Sequence, residues 1–512
     1  MADIFDSYRL AAAWDEMFVA PGLPRPAYHS LFTTLQPLSG ADLRFRADQL
    51  ARVFTDRGVT FAYAGEERPF PLDLIPRIID AVEWDLVTRA VRQRVTALER
   101  FLSDVYGRGA VLDDGVVPRH LVTTSAHFHR EAYGVEPANG VRIHISGVDM
   151  VRDEAGEFRV LEDNLRIPSG VSYVMENRRA MTHTLPTLFA DARVSPVDDY
   201  PARLLAALRA AAPEGVSDPC VVVLTPGVYN AAYFEHALLA RLMGVELVEG
   251  RDLVCSGNRV RMRTTHGDQP VHVVYRRVDD EFLDPLHFRP DSVIGCPGIL
   301  NAARAGTVTL ANAIGNGVAD DKLLYTYVPD LIRYYLSEAP IIPNVETHRL
   351  DDPEMLHHVL DHLDTLVLKP VDGAGGKGIV IGSQASKSTL ATLKRAVGAD
   401  PRGWIAQRQV ALSTSPTLIG NQVAPRHIDL RPFAINSGDD MWLLPGGLTR
   451  VALPEGALVV NSSQGGGSKD TWVLATEPVA PPRSRPAVKQ VEVVPHDVAQ
   501  QHTHTGSMGS QQ

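Results

Sequence analysis

The stretch LVLKPVDGAGGKGIVIG, from Leu366 to Gly382, restricts this chain more than any other. An apolar run, Leu366-Val367-Leu368, reads as a buried strand and ends at Lys369. A glycine-rich loop follows, Asp372 to Gly378, and then a β-branched run, Ile379-Val380-Ile381. The loop therefore joins two strands. Glycines let backbone N–H groups approach an anion closely, and Lys369 and Lys377 suit a polyphosphate. The reading is a flap over ATP. Gly373-x-Gly375-x-x-Gly378 also matches the dinucleotide fingerprint, but that pattern needs a helix after the loop. A Walker A loop needs Ser or Thr where Gly378 follows Lys377. A protein-kinase flap fits through Val380, without the downstream HRD or DFG. A tight glycine hairpin without ligand is the plain alternative for such a loop taken alone.

Residues 141–164 read as a second organising element. VRIHISGVDMVRD is a strand, EAGEF a turn and RVLEDN a returning strand. Side chains alternate faces along a strand, so Glu162 and Asn164 share a face and Asp163 points the other way. Asp149 reaches the same face from across the hairpin. Two carboxylates and an amide oxygen are hard ligands suited to Mg²⁺ held against phosphates. An ordinary polar strand end is the alternative.

The 512 residues are 45% hydrophobic and 22% charged, enough for two to four structural units around a large core. A net charge of -11, with no basic stripe, argues against a nucleic-acid partner. Cys220, Cys255 and Cys296 are widely spaced and form no CxxC pair, so neither zinc nor a disulfide framework is expected. No apolar run reaches membrane-spanning length, and the first residues lack a signal-peptide core, so a cytoplasmic protein is expected.

Along the chain, 1–130 is expected to be mainly helical. Ser39 to Asp42 opens one helix with a capping box, and apolar spacing predicts another from Ala81 to Val105. The arginines of that second helix, Arg89, Arg92, Arg94 and Arg100, are expected on a solvated face. Residues 131–200 carry the metal-binding hairpin and the loop with Arg166, Ser169 and Gly170. Residues 201–310 alternate helix and strand, an open α/β unit on the substrate side, with Arg276, Arg277, Asp279 and Asp280 at one strand's end. Residues 311–475 are the ATP-binding part. Lys322 begins a helix there, Trp404 to Val410 is a strand able to bind adenine by its backbone, and Arg431 and Arg450 lie on later strands. Residues 476–512, rich in Pro and then Gln, His and Ser, are expected to be a disordered tail.

With these pieces placed, the sequence resembles the circularly permuted ATP-grasp proteins of type 2, relatives of the synthetase half of glutathionylspermidine synthase. The resemblance runs from about Tyr8 to Leu474. It rests on GVTFAYAGEERPFPLDLIPRII, GVDMVRDEAGEFRVLEDNLRIPSGVSYVMENR, VYRRVDDEFLDPL, ANAIGNGVADDK, LVLKPVDGAGGKG and IDLRPF. It implies an α/β fold of the ATP-grasp kind with the metal hairpin moved ahead of the flap. It also implies roles. Lys322 and Lys369 match the phosphate lysines, Gly373, Gly375, Gly376, Lys377 and Gly378 the flap, and Gln407 to Val410 the adenine hinge. Asp149, Glu162 and Asn164 match the magnesium ligands, and Arg431 the arginine that meets the transferred phosphate. The related synthetase has an arginine just before its first metal aspartate, where this chain has Ser146-Gly147, so Arg166 or Arg277 is the stand-in for a substrate carboxylate. The expected function is a ligase joining a small-molecule or peptide carboxylate to an amine with ATP and Mg²⁺. A kinase on the same fold and a non-catalytic nucleotide-binding partner of another protein remain open, as does the oligomeric state.

Overall fold

Among the described residues, three sheets of four or more strands form the framework of the cleft. The computed structural model describes residues 4–475 apart from 64–65, 374–375, 377, 459 and 461–465. The expected disordered tail, 476–512, and Gly375 and Lys377 of the flap lie outside the described residues.

Of the elements that frame the cleft, the first are helix α1 (Gly40–Asp56), strand β1 (Leu72–Ile79) and helix α2 (Ala81–Val105). Ser39 and Asp42 cap α1 reciprocally, as their spacing predicts, and Asp80 caps α2 by accepting from the Glu83 N–H. The hairpin β2 (Ile145–Arg152) and β3 (Phe158–Asn164) follows, then helix α3 (Val171–Thr184). The α/β unit comprises α4 (Tyr200–Ala210), β4 (Val221–Leu224), α5 (Tyr233–Met243), β5 (Glu246–Val248), β6 (Val273–Arg276) and β7 (Thr309–Ala311). The last part holds α6 (Lys322–Tyr325), β8 (Thr347–Arg349), β9 (Leu366–Pro370), β10 (Val380–Ile381), α7 (Lys387–Ala399), β11 (Trp404–Arg408), β12 (Arg431–Asn436), β13 (Met441–Val451) and β14 (Gly467–Val473).

The central sheet has the order β1-β14-β13-β12-β2-β3, so the N-terminal region contributes an edge strand. Pro76 sits in β1, a residue confined to edge strands because it donates no ladder hydrogen bond. β1 runs parallel to β14 and places Asp73 opposite Lys469. The second sheet, β7-β6-β4-β5, is wholly parallel, and its Val-rich strands are buried, as sheets covered by helices require. The third, β8-β11-β9-β10, is antiparallel and carries the flap.

The solvated face expected for the α2 arginines holds for Arg89, Arg92 and Arg100 but not for Arg94. Arg94 is buried and forks onto both Asp163 oxygens at 2.7 Å, while reaching the Asn344 side chain at 2.8 Å. Helical periodicity gave no hint of this, because both partners lie far along the chain.

Candidate active site

The flap hairpin pairs Val367 with Ile381 and Leu368 with Val380, so the glycine loop caps the open end of β9. Gly376 and Gly378 have φ of 75° and 80°, a backbone region that side chains other than glycine rarely adopt. A Cβ on Gly378 would also lie 2.8 Å from the Pro370 ring. Behind the loop is a cavity walled by Val151, Val345, Val367, Ile381 and Leu412, with Lys369 and Lys322 at its polar end. The β11 ladder stops at Arg408, and Gln409 and Val410 carry their backbone on along the cavity wall. Gln407 lines the same wall, its amide donating to the Thr347 hydroxyl at 2.9 Å.

Lys369 is buried, and burial pulls its ammonium down to about 8, Glu162 opposing that shift and Lys322 adding to it. Among the described residues no side chain or carbonyl is bonded to its Nζ. Lys322 begins α6 because Asp321 caps that turn, accepting from the Leu323 N–H at 2.8 Å and from the Ser125 hydroxyl at 2.6 Å. Its Nζ donates to the Gly373 carbonyl, tying the helix start to the flap.

The acid hairpin has the expected register in part. Asp149 faces Glu162 and Gly147 faces Asn164, with a bulge directly after Asp149. Glu162, Asp163 and Asn164 all border the cleft, but the Asp163 carboxylate is committed to Arg94. Asp149 lies behind them, fully buried and gripped by two arginines. Arg431 clasps both its oxygens with Nε and Nη2, and Arg450 Nη2 reaches it at 2.7 Å. Burial alone would raise the Asp149 carboxyl, yet the two guanidiniums hold it well below the carboxylate range. Glu162 goes the other way: burial and the adjacent Asp149 raise it, against Lys322 and Lys369. Asp429, buried beside Arg450 at 2.9 Å, completes the cluster.

Among the described residues no group of three His, Cys, Asp or Glu side chains is arranged to hold a metal. The donors nevertheless suit Mg²⁺: Glu162 and Asn164 line the cleft, the Asn164 amide donates to Asp149 at 3.4 Å, and Asp149 and Glu162 are facing carboxylates whose shared charge raises Glu162. The Asp149 oxygens would join only after Arg431 or Arg450 turns away.

A second, more polar cavity adjoins the first, and Glu162, Lys322, Gly373 and Arg450 line both. Arg166 lines it, 3.3 Å from Asp279 and 3.9 Å from Asp320. Asp320 accepts from the Leu165 N–H at 2.6 Å, and burial, opposed by Arg166, pushes its carboxyl up to about 7. His127 stands in the same wall, held below the usual imidazole range by burial and by Arg166. Arg277 is placed differently. It is buried and committed to the Pro168 carbonyl at 2.8 Å, the Tyr275 hydroxyl at 3.2 Å and Glu235 at 3.3 Å, so it fastens the 167–170 loop to the parallel sheet. Arg276 and Asp280 likewise form a buried ion pair of 2.6 Å. Sequence reasoning missed His127, Asp320 and Asp429 as cleft residues. Asp429 was within reach, since strand alternation places it on the Arg431 side of HIDLRPF.

The family model for circularly permuted ATP-grasp type 2 matches residues 76–452. The chain belongs to that family. A similar protein of Mycobacterium tuberculosis is 59% identical over 487 residues, 95% of this chain and 88% of the relative. One of Synechocystis is 51% identical, covering 91% of this chain and 98% of the relative. A Frankia casuarinae protein named as a candidate glutamate–cysteine ligase is 45% identical over 90% of this chain, which spans only 53% of that relative. Among solved structures, a glutathione synthetase-like effector from Globodera pallida, in its apo form, superposes with a TM-score of 0.56 at 12% identity, covering 85% of this chain and 98% of that one. That likeness concerns the fold. The membership agrees with the permuted order, in which the β2–β3 hairpin precedes the flap in sequence yet meets it at the cleft. No described helix is long and apolar enough to cross a membrane.

Proposed function

We propose that this chain is an ATP- and magnesium-dependent ligase that joins a carboxylate to an amine through an acyl phosphate. The observation that carries the reading is the meeting of two cavities, one apolar under the flap and one polar, at Glu162, Lys322, Gly373 and Arg450. Adenine fits between the Val367 and Leu412 walls, against the backbone of Gln407 to Val410. Lys369 and Lys322 neutralise the phosphates at the cavity's polar end. Glu162 and Asn164, with Asp149, would hold Mg²⁺, which supplies charge neutralisation across the phosphates.

The substrate carboxylate lies in the polar cavity. One of its oxygens attacks the γ-phosphorus, the bond to the β-phosphate breaks, and ADP leaves. Arg431 and Arg450 exchange part of their hold on Asp149 for the transferred phosphoryl group, so their positive charge follows the negative charge as it moves. An amine then attacks the acyl carbon, phosphate leaves, and the nitrogen loses a proton as the amide forms. Arg166, half-exposed at the cavity wall, receives a further carboxylate of either substrate. The name of the Frankia casuarinae relative is compatible with amino-acid substrates, although this chain spans only 53% of that protein.

A small-molecule kinase would use the same first step and stop at the phosphorylated product. The test is a screen of fractionated metabolite pools for substrate-dependent ADP release, followed by mass analysis. Free phosphate with a new amide supports the ligase. A stable phosphorylated product replaces it with the kinase.

A further inference from the structure

The three cysteines look unrelated in sequence, but two of them meet. Cys255 lies on the strand Leu253–Ser256 and is half-buried, whereas Cys296 is buried in the turn before the helix Ile299–Arg304. Their Sγ atoms are 3.5 Å apart although 41 positions separate them. We propose that Cys255 and Cys296 are a modification site, closing to a reversible intramolecular disulfide when the protein meets a peroxide.

The contact is built by the backbone around it. A Cβ on Gly250 would overlap the Gly295 carbonyl oxygen, and one on Gly295 would overlap the Phe282 carbonyl. Gly298, at φ of 86°, lies against the Cys255 side chain, where its own Cβ would be 3.3 Å from the Cys255 Cβ. Asp284 pins the turn by accepting from the Gly298 and Leu300 N–H groups, both at 3.0 Å, and the Cys296 N–H donates to the Leu283 carbonyl at 2.9 Å. The two thiols are thus held together by segments whose close approach only glycine permits. The distance left to an S–S bond of about 2.05 Å is on the order of side-chain adjustment.

The two thiols are also unequal. Cys255 is half-buried, whereas Cys296 is fully buried. Cys255, the more exposed of the pair, is therefore the attacking sulfur. Its thiolate attacks one oxygen of hydrogen peroxide, the O–O bond breaks, and a sulfenic acid and water result after the thiol proton is taken up. Cys296 sulfur then attacks the Cys255 sulfur, the S–O bond breaks, and the departing hydroxide takes the Cys296 proton as water. Two thiols and one peroxide become one disulfide and two waters, a two-electron exchange. The bond ties the Leu253–Met262 strand pair to the segment that leads into Ile299–Arg304. Neither cysteine lines the nucleotide cleft or its polar neighbour.

The experiment treats the reduced, full-length native chain with hydrogen peroxide, blocks remaining thiols and maps peptides by mass. The expected result is a loss of about 2 Da located to a Cys255–Cys296 linked peptide, reversed by dithiothreitol. Cys220, whose thiol meets no other among the described residues, stays unlinked. The oxidised protein melts several degrees higher, about what closing a loop of this length predicts. In Cys296→Ser, dimedone captures Cys255 as sulfenic acid. Oxidation of Cys255 to sulfinic acid in the unmutated chain without a link to Cys296 overturns the proposal. So does oxidation confined to Cys220, or a linkage between two chains.

Discussion

Lys369 and Lys469 are both buried lysines on strands that bear on the sheets around the cleft, and burial pushes both ammonium groups below the ordinary value. Their surroundings differ completely. Lys469 stands opposite Asp73 in the parallel β1–β14 ladder, pairs with that carboxylate, and donates to the Ile75 carbonyl at 3.0 Å and the Pro416 carbonyl at 2.8 Å. Every proton of its ammonium has a protein acceptor. Lys369 has only the cleft before it, and Glu162 and Asp149 are the opposing charges it senses. A buried cation that the fold satisfies holds the fold, and one left unsatisfied marks where an anion is expected.

The same division separates the arginines. Arg276 and Arg277 are locked under carbonyls and acids, and they tie loops to the parallel sheet. Arg431 and Arg450 grip Asp149 at the margin of a cavity, where a phosphate would compete for them.

The largest effect is expected at Lys469. Lys469→Ala leaves Asp73 buried without its partner and should cost about 3–5 kcal/mol of stability, the usual penalty for breaking a buried pair. Chemical denaturation checks this, and a loss below about 1 kcal/mol would remove the contrast. Lys369→Ala should instead keep its melting temperature, since an unpaired buried charge is relieved. Its ATP affinity should fall about 10- to 100-fold, the worth of a charged hydrogen bond to phosphate. Calorimetry on the folded variant measures it.

A pH series sharpens the same point. With Lys369 depressed to about 8, its positive charge is complete below that pH and is lost as the pH rises through it. ATP affinity should therefore decline above pH 8 by up to about tenfold per unit, the slope of one proton. Lys369→Arg, charged throughout, should flatten that decline. The smallest effect concerns Asp320. Its folded value near 7 lies above the unfolded one, so its contribution to stability is present in acid and is lost as the pH climbs through 7. Asp320→Asn should remove that slope in urea titrations carried out between pH 5 and 8.

Much of this was legible in the chain itself. The capping box at Ser39, the helix from Ala81 to Val105, the acid hairpin and the strand–glycine loop–strand flap are local patterns whose partners lie within a few residues. What escaped depends on distant partners. β14 reads as a polar continuation of a glycine-rich loop, GSKDTWV, yet all of it is buried, because Lys469 and Asp470 find Asp73 and Arg178 far upstream. Arg94 looked like one more surface arginine until Asp163 came to meet it. Asp163, expected only to point away from Glu162, is buried against Arg94, so Asp163→Asn is a change in stability. The two thiols were invisible for the same reason.

In the proposed ligase, the hairpin two hundred residues upstream of the flap would hold magnesium against the nucleotide beneath it. The direct measurement is calorimetric titration of a non-hydrolysable ATP analogue, with and without Mg²⁺, into the unmutated chain and Glu162→Gln. Mg²⁺ should strengthen binding to the unmutated chain, and this gain should disappear in Glu162→Gln, while metal-free binding is equal or tighter because one negative charge is gone. An undiminished magnesium gain in a folded Glu162→Gln would contradict it.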